Sequence, residues 1–567
     1  MIYTPARQWR LVLVLSDYWM ALWQKIERHS LLATLCGAFA FLYLSLFRWP
    51  RVPILSIEDQ TPFLIGAGRM LEGQVIYQDF FDHIAPGLTV LDLAFFKILG
   101  IHCWIPNVML VLVGLGLTWI ILVISRQVLS GVTALLPAGL FLVFDLGQGL
   151  DNTHHWYSAL SVLCAVAIVM ERRSPARLAA AGAMCGLASF FTQTEGAFFV
   201  AGLAFFLGWE GRRERLPWLE TIRRLFLLLV PYFSTVSITL SYFLWKAGLS
   251  RLLFCLIGFN LKYLAKLRDA SSLAVIVTEI PEMTHWNQLP DLGSYLFIRT
   301  LIPFVYVGVW IVLRKSIPRV ELESRLMLLA IAGIFSFGAV VRSPTTFRLW
   351  TAAPLGLILL VWLLSLWRLD SRTLAIAAGV GILCCAIVVP LQTQTSPMHL
   401  LDLPRGRVAL EPANYAQLLM LSRYLHPGES VLALTDSGAI FPMALRGPNE
   451  VHGLTTDGFT RPEQVRQVIV ALEAQAVPIV LSEPGFGLRQ DTLAHSDAME
   501  PPPGNLRSLL HRIKMSLIGG DQQNEDNLGP LRDYIRAHYQ LALNPEDQNS
   551  QTEIWERNPA PPGWPAR

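Results

Sequence analysis

Gly87-Leu-Thr-Val-Leu-Asp-Leu-Ala-Phe-Phe-Lys-Ile-Leu-Gly100 is the apolar stretch whose assignment decides the topology of the whole chain. A bilayer's hydrocarbon core of ~30 Å takes roughly 17 to 25 helical residues. At about 14 residues, with Asp92 and Lys97 inside it, this stretch is too short and too polar to cross. It is expected as a helix lying in the outer interface, packed beside the bundle.

Outward from it, apolar runs recur from 31 to 389 and then stop. Of 567 residues, 53% are hydrophobic and 15% charged, with mean hydropathy +0.45. A soluble domain carries nearer ~25% charge, so most of this apolar surface faces lipid. The expected spans are 31–49, 106–125, 131–146, 156–170, 178–191, 196–209, 225–245, 296–313, 326–341, 351–367 and 373–389, about eleven in all. Arg7, Arg10, Lys25 and Arg28 precede the first run and no small-residue cleavage site follows Trp49, which reads as a retained helix.

With 87–100 kept out of the count, the basic clusters at Arg126, at Arg172, Arg173 and Arg177, at 212–224, at 314–325 and at Arg368 and Arg372 all fall on the N-terminal side. Short loops rich in Lys and Arg stay cytoplasmic, so the N-terminus is expected inside and, after an odd number of spans, the C-terminus outside. The outer loops 50–105 and 246–295 are long; the second carries Arg251, Lys262, Lys266 and Arg268 against the charge rule, which length weakens. The net charge of +3, dispersed in short clusters, gives no footprint for nucleic acid.

The residues 1–391 therefore read as a transmembrane domain and 392–567 as an extracytoplasmic α/β domain with a disordered Pro-rich end at 559–565. In the tail, apolar strands such as Val431-Leu-Ala-Leu and Val477-Pro-Ile-Val-Leu alternate with helical patterns such as 416–425, and a loop is expected at Pro501-Pro-Pro-Gly504. No cysteine follows Cys385, which excludes a disulfide framework there.

The first outer loop clusters acids where the first helix leaves the membrane: Ser56-Ile-Glu-Asp-Gln-Thr-Pro, then Gly73-Gln-Val-Ile-Tyr-Gln-Asp-Phe-Phe-Asp-His-Ile-Ala-Pro86. Paired carboxylates at such a boundary can hold a divalent cation or deprotonate a hydroxyl; a solvated loop with helix caps is the plainer alternative. The second outer loop, Asp145-Leu-Gly-Gln-Gly-Leu-Asp-Asn-Thr-His-His-Trp156, brings Asp151, His154 and His155 to a helix mouth. Adjacent histidines point about 100° apart on a helix and do not easily share a metal, so hydrogen bonds to substrate or to Asp151 are expected of them. Phe190-Phe-Thr-Gln-Thr-Glu-Gly196 interrupts the apolar region 178–209 and makes 192–195 the outer turn. Arg342 and Arg348 sit on the outer side against the charge trend, placed for bidentate phosphate binding or for snorkelling to headgroups.

The first outer loop resembles that of lipid-linked-sugar glycosyltransferases of the GT-C class, in the branch of protein mannosyltransferases, the aminoarabinose transferase and their bacterial relatives. That branch begins the loop with Asp-Glu, runs through a short helix to Leu-Leu-x-Gly, then gives Tyr-x-Asp-Phe-Phe and a Pro-bearing interfacial helix. Asp59, Gly73, Tyr77, Asp79, Phe80, Phe81 and Pro86 match in order. The tail resembles the outer domains of bacterial relatives more weakly, in Pro427-Gly-Glu-Ser-Val431 and in 531–539 leading to 553–557.

The resemblance implies a polytopic, GT-C-like α-helical fold in a bacterial inner membrane, with Asp59 as catalytic base. It implies a polyprenyl-phosphate-linked sugar as donor and an envelope glycan, lipid or protein as acceptor. Gln60 stands where Glu is usual, so a paired-acid site would need Glu58, and use of a divalent metal is left open. Asp79, His83, Asp151, His154, His155, Gln193, Arg342 and Arg348 are the expected donor- and acceptor-binding residues; relatives often carry Lys where Gln193 stands and Asp-x-x-His near Arg342. A lipid-linked-sugar flippase and a catalytically inactive assembly protein are the rival readings.

Overall fold

Apolar runs of Leu, Val, Ile, Phe and Ala leave backbone amides no polar partner but one another, and within lipid only the helix satisfies them inside one segment. The computed structural model describes residues 30–57, 59–261, 301–315, 320–340, 346–366, 371–434, 438–448, 462–483, 486–488, 527–543 and 552–559. Up to residue 395 its described helices are α1 (Ser30–Leu46), α2 (Thr61–Leu71), α3 (Gly87–Leu99), α4 (Ile105–Ser125), α5 (Leu136–Phe144), α6 (His154–Glu171), α7 (Pro175–Phe191), α8 (Gln193–Arg213), α9 (Trp218–Ala247), α10 (Leu249–Leu253), α11 (Ile302–Lys315), α12 (Val320–Val340), α13 (Thr346–Ser365) and α14 (Ser371–Thr395).

Each expected span holds helix among its described residues, the first ending at Leu46 short of 49, and 296–300, 341 and 367 lie outside the described residues. Six segments are long and apolar enough to cross a membrane: Ile105–Ser125, Gly131–Gln148, Trp218–Ala247, Val320–Val340, Arg348–Ser365 and Ile376–Thr395. They make this a multi-pass membrane protein. Within the protein, 78% of the Arg348–Ser365 segment is buried but only 11% of Trp218–Ala247 and 6% of Ile376–Thr395, so α13 is central and α9 and α14 are peripheral.

Small residues let helices touch at backbone distance, the usual device of membrane packing. A Cβ on Gly182 would lie 2.0 Å from the Leu228 carbonyl oxygen, which fixes α7 against α9. A Cβ on Gly196 would lie 2.3 Å from the Ser189 nitrogen, so α8 leaves α7 in a sharp reversal. That reversal is tighter than the expected turn over 192–195: α7 ends at Phe191, α8 begins at Gln193, and Thr192 alone is extended between them.

Among the described residues, basic groups from four of the clusters, Arg126, Arg173, Arg213 with Arg224, and Arg325, meet at one end of the bundle, while Arg319 and Arg368 lie outside the described residues. Arg126 donates to Ser30 Oγ, Arg173 pairs with Glu210 at 2.8 Å, Arg213 pairs with Glu323, and Arg325 donates to the Gln127 carbonyl. Glu210 also accepts from Ser324 and lies 3.6 Å from Arg224. Read from sequence as topology markers alone, these arginines are also structural, tying the α6–α7 connection, α8, α9 and α12 together.

At the other end, α3 is a helix of 13 residues, about 20 Å long at 1.5 Å per residue. It packs on α2 with Leu88, Asp92 and Phe96 buried, and Gly87 touches the α7 end, where a Cβ would lie 2.5 Å from the Phe190 oxygen. Cys255 is buried with Tyr77, Phe80 and Phe243 in an apolar cluster.

A short antiparallel pair, β1 (Phe47–Arg48) with β2 (Val52–Pro53), follows α1, and after α14 come a hairpin, β3 (His399–Leu403) with β4 (Gly406–Leu410), then helix α15 (Pro412–Tyr424). Helices α16 (Pro462–Ala474) and α17 (Gly529–His538) pack with a four-stranded sheet. In chain order its strands are β5 (Val431–Ala433), β6 (Ile479–Ser482), β7 (Tyr539–Leu543) and β8 (Glu553–Arg557). Their spatial order is β5-β6-β8-β7, with β5 and β6 parallel and the other neighbours antiparallel. The expected loop at 501–504 and the Pro-rich end beyond 559 lie outside the described residues. The hairpin joins the first outer loop: Leu55 N–H donates to the Ala409 carbonyl at 3.1 Å and Cys103 N–H to the Arg405 carbonyl at 3.0 Å.

Candidate functional site

Two loops and one helix reversal build the site at the end away from the arginine network. The chain leaves α1, turns at Asp59 and enters α2 on Pro62, whose missing N–H costs nothing in a first helical turn. The second loop returns from α5 and enters α6 at His154, after Thr153 in extended conformation.

Three hydrogen bonds join the loops, and a fourth, from Gln60 to Ser56, ties the first loop to itself. Gln60 N–H donates to Asp151 Oδ2 at 3.0 Å, Asn152 N–H donates to Gln60 Oε1 at 3.3 Å, Gln60 Nε2 donates to the Ser56 carbonyl at 2.8 Å, and Thr153 Oγ1 donates to Asp59 Oδ2 at 2.9 Å. Gln60 thus both donates and accepts through its side chain, which a carboxylate cannot do. The departure from the family's Glu has a structural use here, and Asp151, buried, serves as the acceptor that holds it.

Asp59 is exposed while His154 and His155 are buried, and ligand atoms of all three lie within 4.8 Å of one another. The imidazole rings are 4.0 Å apart between centroids and inclined by 35°. Of the expectation that adjacent histidines diverge and bond substrate or Asp151, the divergence is corrected, and each Nδ1 bonds a partner other than Asp151. They occupy the first turn of α6, and α8 draws both rings to one side: His154 Nδ1 bonds Thr192 Oγ1 at 2.7 Å and His155 Nδ1 bonds Glu195 Oε1 at 2.5 Å. Neither Nδ1 is available for a further ligand, which leaves each ring its Nε2.

Other expected residues have different employment. Asp79 accepts from Val75 N–H at 2.6 Å and so stabilises its own turn. In the same knot Tyr77 has φ +69°, its hydroxyl donates to the Ile84 carbonyl at 2.5 Å, and Arg69 lies over the Phe80 ring at 4.6 Å. The Tyr-x-Asp-Phe-Phe stretch therefore shapes the loop. Gln193 spends both ends of its amide on backbone, accepting from Ala85 N–H at 3.1 Å and donating to the His83 and Leu256 carbonyls at 2.9 and 3.2 Å. Instead of facing a ligand it latches the first outer loop to the segment after α9. Glu58 and Arg342 lie outside the described residues.

His83 and Arg348 belong to the mouth. Burial pushes the His83 imidazole down from 6.5 to about 4, with the Arg348 guanidinium adding to the effect and Asp59 opposing it. The neighbouring Asp82 carboxyl, 4.0 Å away, is raised by burial from 3.8 to about 6. Arg348 is half-buried in the first turn of α13. Thr153, Thr192 and Glu195 are members that sequence reasoning missed; a hydroxyl at a loop end carries no signature, and Glu195 read only as part of the outer turn 192–195.

No model of a known protein family matches this sequence, and no curated protein matches it. Solved structures do. ArnT from Cupriavidus metallidurans in the apo state is 14% identical over 86% of this chain and 96% of that one, with a TM-score of 0.48. The same protein bound to undecaprenyl phosphate gives 14% identity over 83% and 95%, with a TM-score of 0.47. The Archaeoglobus fulgidus oligosaccharyltransferase in its apo form gives 13% over 80% and 70%, with a TM-score of 0.43. All three scores are below 0.5, and the chemistry of the site stands on its own residues.

Proposed function

We propose that this chain is a membrane glycosyltransferase that moves a sugar from a polyprenyl-phosphate donor to an acceptor at the end of the bundle holding Asp59. The observation that carries the reading is the convergence of Asp59, His154 and His155 within 4.8 Å at that mouth. A transporter would keep its ionisable groups near the midplane. The donor class and the role of Asp59 come from the resemblance of 59–86 to the GT-C branch.

Asp59, the exposed member, orients the acceptor hydroxyl and takes its proton, helped by the Thr153 hydroxyl that holds one of its oxygens. The acceptor oxygen attacks the anomeric carbon as the bond from that carbon to the donor phosphate breaks. The phosphate leaves with the bonding electrons, and the configuration inverts. Arg348 is the cation available to that phosphate, through a guanidinium suited to two parallel hydrogen bonds. Two imidazoles with Nδ1 engaged, facing a carboxylate, fit a divalent cation at Asp59, His154 and His155. Such a cation would neutralise charge on the phosphate.

The proposed arrangement has residues 1–391 in a bacterial inner membrane, the N-terminus cytoplasmic, and 392–567 as an extracytoplasmic α/β domain. The hydrogen bond from Leu55 to Ala409, four residues before Asp59, supports having the tail and the site on one side. A labelled polyprenyl-phosphate sugar supplied to membranes separates the readings. Label transferred to an external acceptor supports the transferase; movement of the unaltered lipid indicates a flippase; neither indicates an assembly role.

A further inference from the structure

We propose that Thr192 and Glu195, at the reversal between α7 and α8, are positioning residues that orient both imidazoles for a shared cation. This rests on the cation site proposed above and assigns its supporting shell. Glu195, as a carboxylate, can only accept, so His155 Nδ1 carries the proton and its Nε2 presents a lone pair. Thr192 Oγ1 can accept from His154 Nδ1 in the same way, and that tautomer is the one that leaves the His154 Nε2 lone pair for a cation. Without these two bonds, nothing in the first turn of α6 would hold adjacent rings 4.0 Å apart on one side.

The anchor is stiff. Gly196 lets the first turn of α8 press on Ser189, and Gly196 N–H donates to the Thr192 carbonyl at 3.2 Å. Thr192 N–H donates to the Ala188 carbonyl at 2.8 Å, so the residue is tied to both helices. Ligating histidines are commonly oriented in this way by a carboxylate or hydroxyl on the second nitrogen, and loss of such a partner weakens metal binding by roughly 10- to 100-fold.

The test is Zn(II) binding to the full-length, detergent-solubilised protein by equilibrium dialysis, with monodispersity and thermal midpoint checked for every variant. Glu195→Ala and Thr192→Val are expected to weaken binding by roughly 10- to 100-fold. Glu195→Gln and Thr192→Ser keep an acceptor oxygen and are expected to restore most of the affinity. His154→Ala and His155→Ala should abolish the site. If the histidine variants lose Zn(II) while Glu195→Ala and Thr192→Val keep wild-type affinity, the positioning role is overturned and the cation site stands. If the wild-type protein binds no more Zn(II) than the His154→Ala, His155→Ala double variant, the cation site falls and the positioning role with it. Should Glu195→Ala not fold, Thr192→Val and its rescue by Ser decide alone.

Discussion

Gln60 bonds Ser56, Asp151 and Asn152 through separate atoms, so changing it to Glu removes a donor and sets a carboxylate against Asp151. Gln60→Glu is expected to cost roughly 1–3 kcal/mol, read as a lower thermal midpoint in detergent. An unchanged midpoint would deny the junction its role. Asp82 and His83 predict a pH effect. His83 titrates at 6.5 unfolded and about 4 folded, so its contribution to stability falls as pH drops through that window. Asp82 titrates at 3.8 unfolded and about 6 folded, so its contribution falls as pH rises through that window. The two slopes oppose each other between about 4 and 6. Asp82→Asn removes one, and the variant is expected to gain stability with rising pH from about 4 to about 6, where the parent stays nearly flat. Melting curves across that range check it. Asp59 was legible in the sequence because it stands at the start of a recognisable loop pattern. Thr192 and Glu195 were not, because their bonds span 38 and 40 residues and exist only once α6 and α8 are packed.

Helices were legible wherever apolar residues ran on without charge, since lipid leaves no other solution. Their ends were not: α8 begins three residues before the expected 196, because Gly196 permits a reversal that a tally of apolar residues cannot see. The α7–α9 crossing is equally specific. Gly182→Ala places a methyl group against the Leu228 carbonyl and is expected to destabilise by about 1–3 kcal/mol, with a lower thermal midpoint. Gly208→Ala, which meets nothing within 4 Å, is its control and should melt like the parent. Equal midpoints for the two variants would contradict the close crossing.

For the whole molecule, the assignment of 87–100 carried the most weight, because it set the parity of everything after it. In the structure the described arginines of that grouping, Arg126, Arg173, Arg213, Arg224 and Arg325, bond glutamates, a serine and a carbonyl of neighbouring segments at one end, while Asp59, the histidines and the tail hairpin share the other. Glu72 in the first outer loop lies 3.4 Å from Arg446 in the tail, so single cysteines at the two positions, in a cysteine-free background, should react with an impermeant maleimide from the same face of sealed membranes. Labelling from opposite faces would break the topology. Two of the tail's strands, β5 and β6, were legible from the apolar runs at 431–434 and 477–481, but its other strands and its docking on the first loop were not, since a backbone bond such as Leu55 to Ala409 leaves no mark in side-chain chemistry.

The central claim is transfer of a sugar from a lipid phosphate with Asp59 at the reacting centre. It is tested most directly by incubating membranes containing the wild-type protein or Asp59→Asn with radiolabelled polyprenyl-phosphate sugar and measuring label outside the lipid pool. The account predicts transfer by the wild type and a loss of at least ~100-fold in the variant at equal folded protein, the scale of a positioned general base. Undiminished transfer by Asp59→Asn would contradict it.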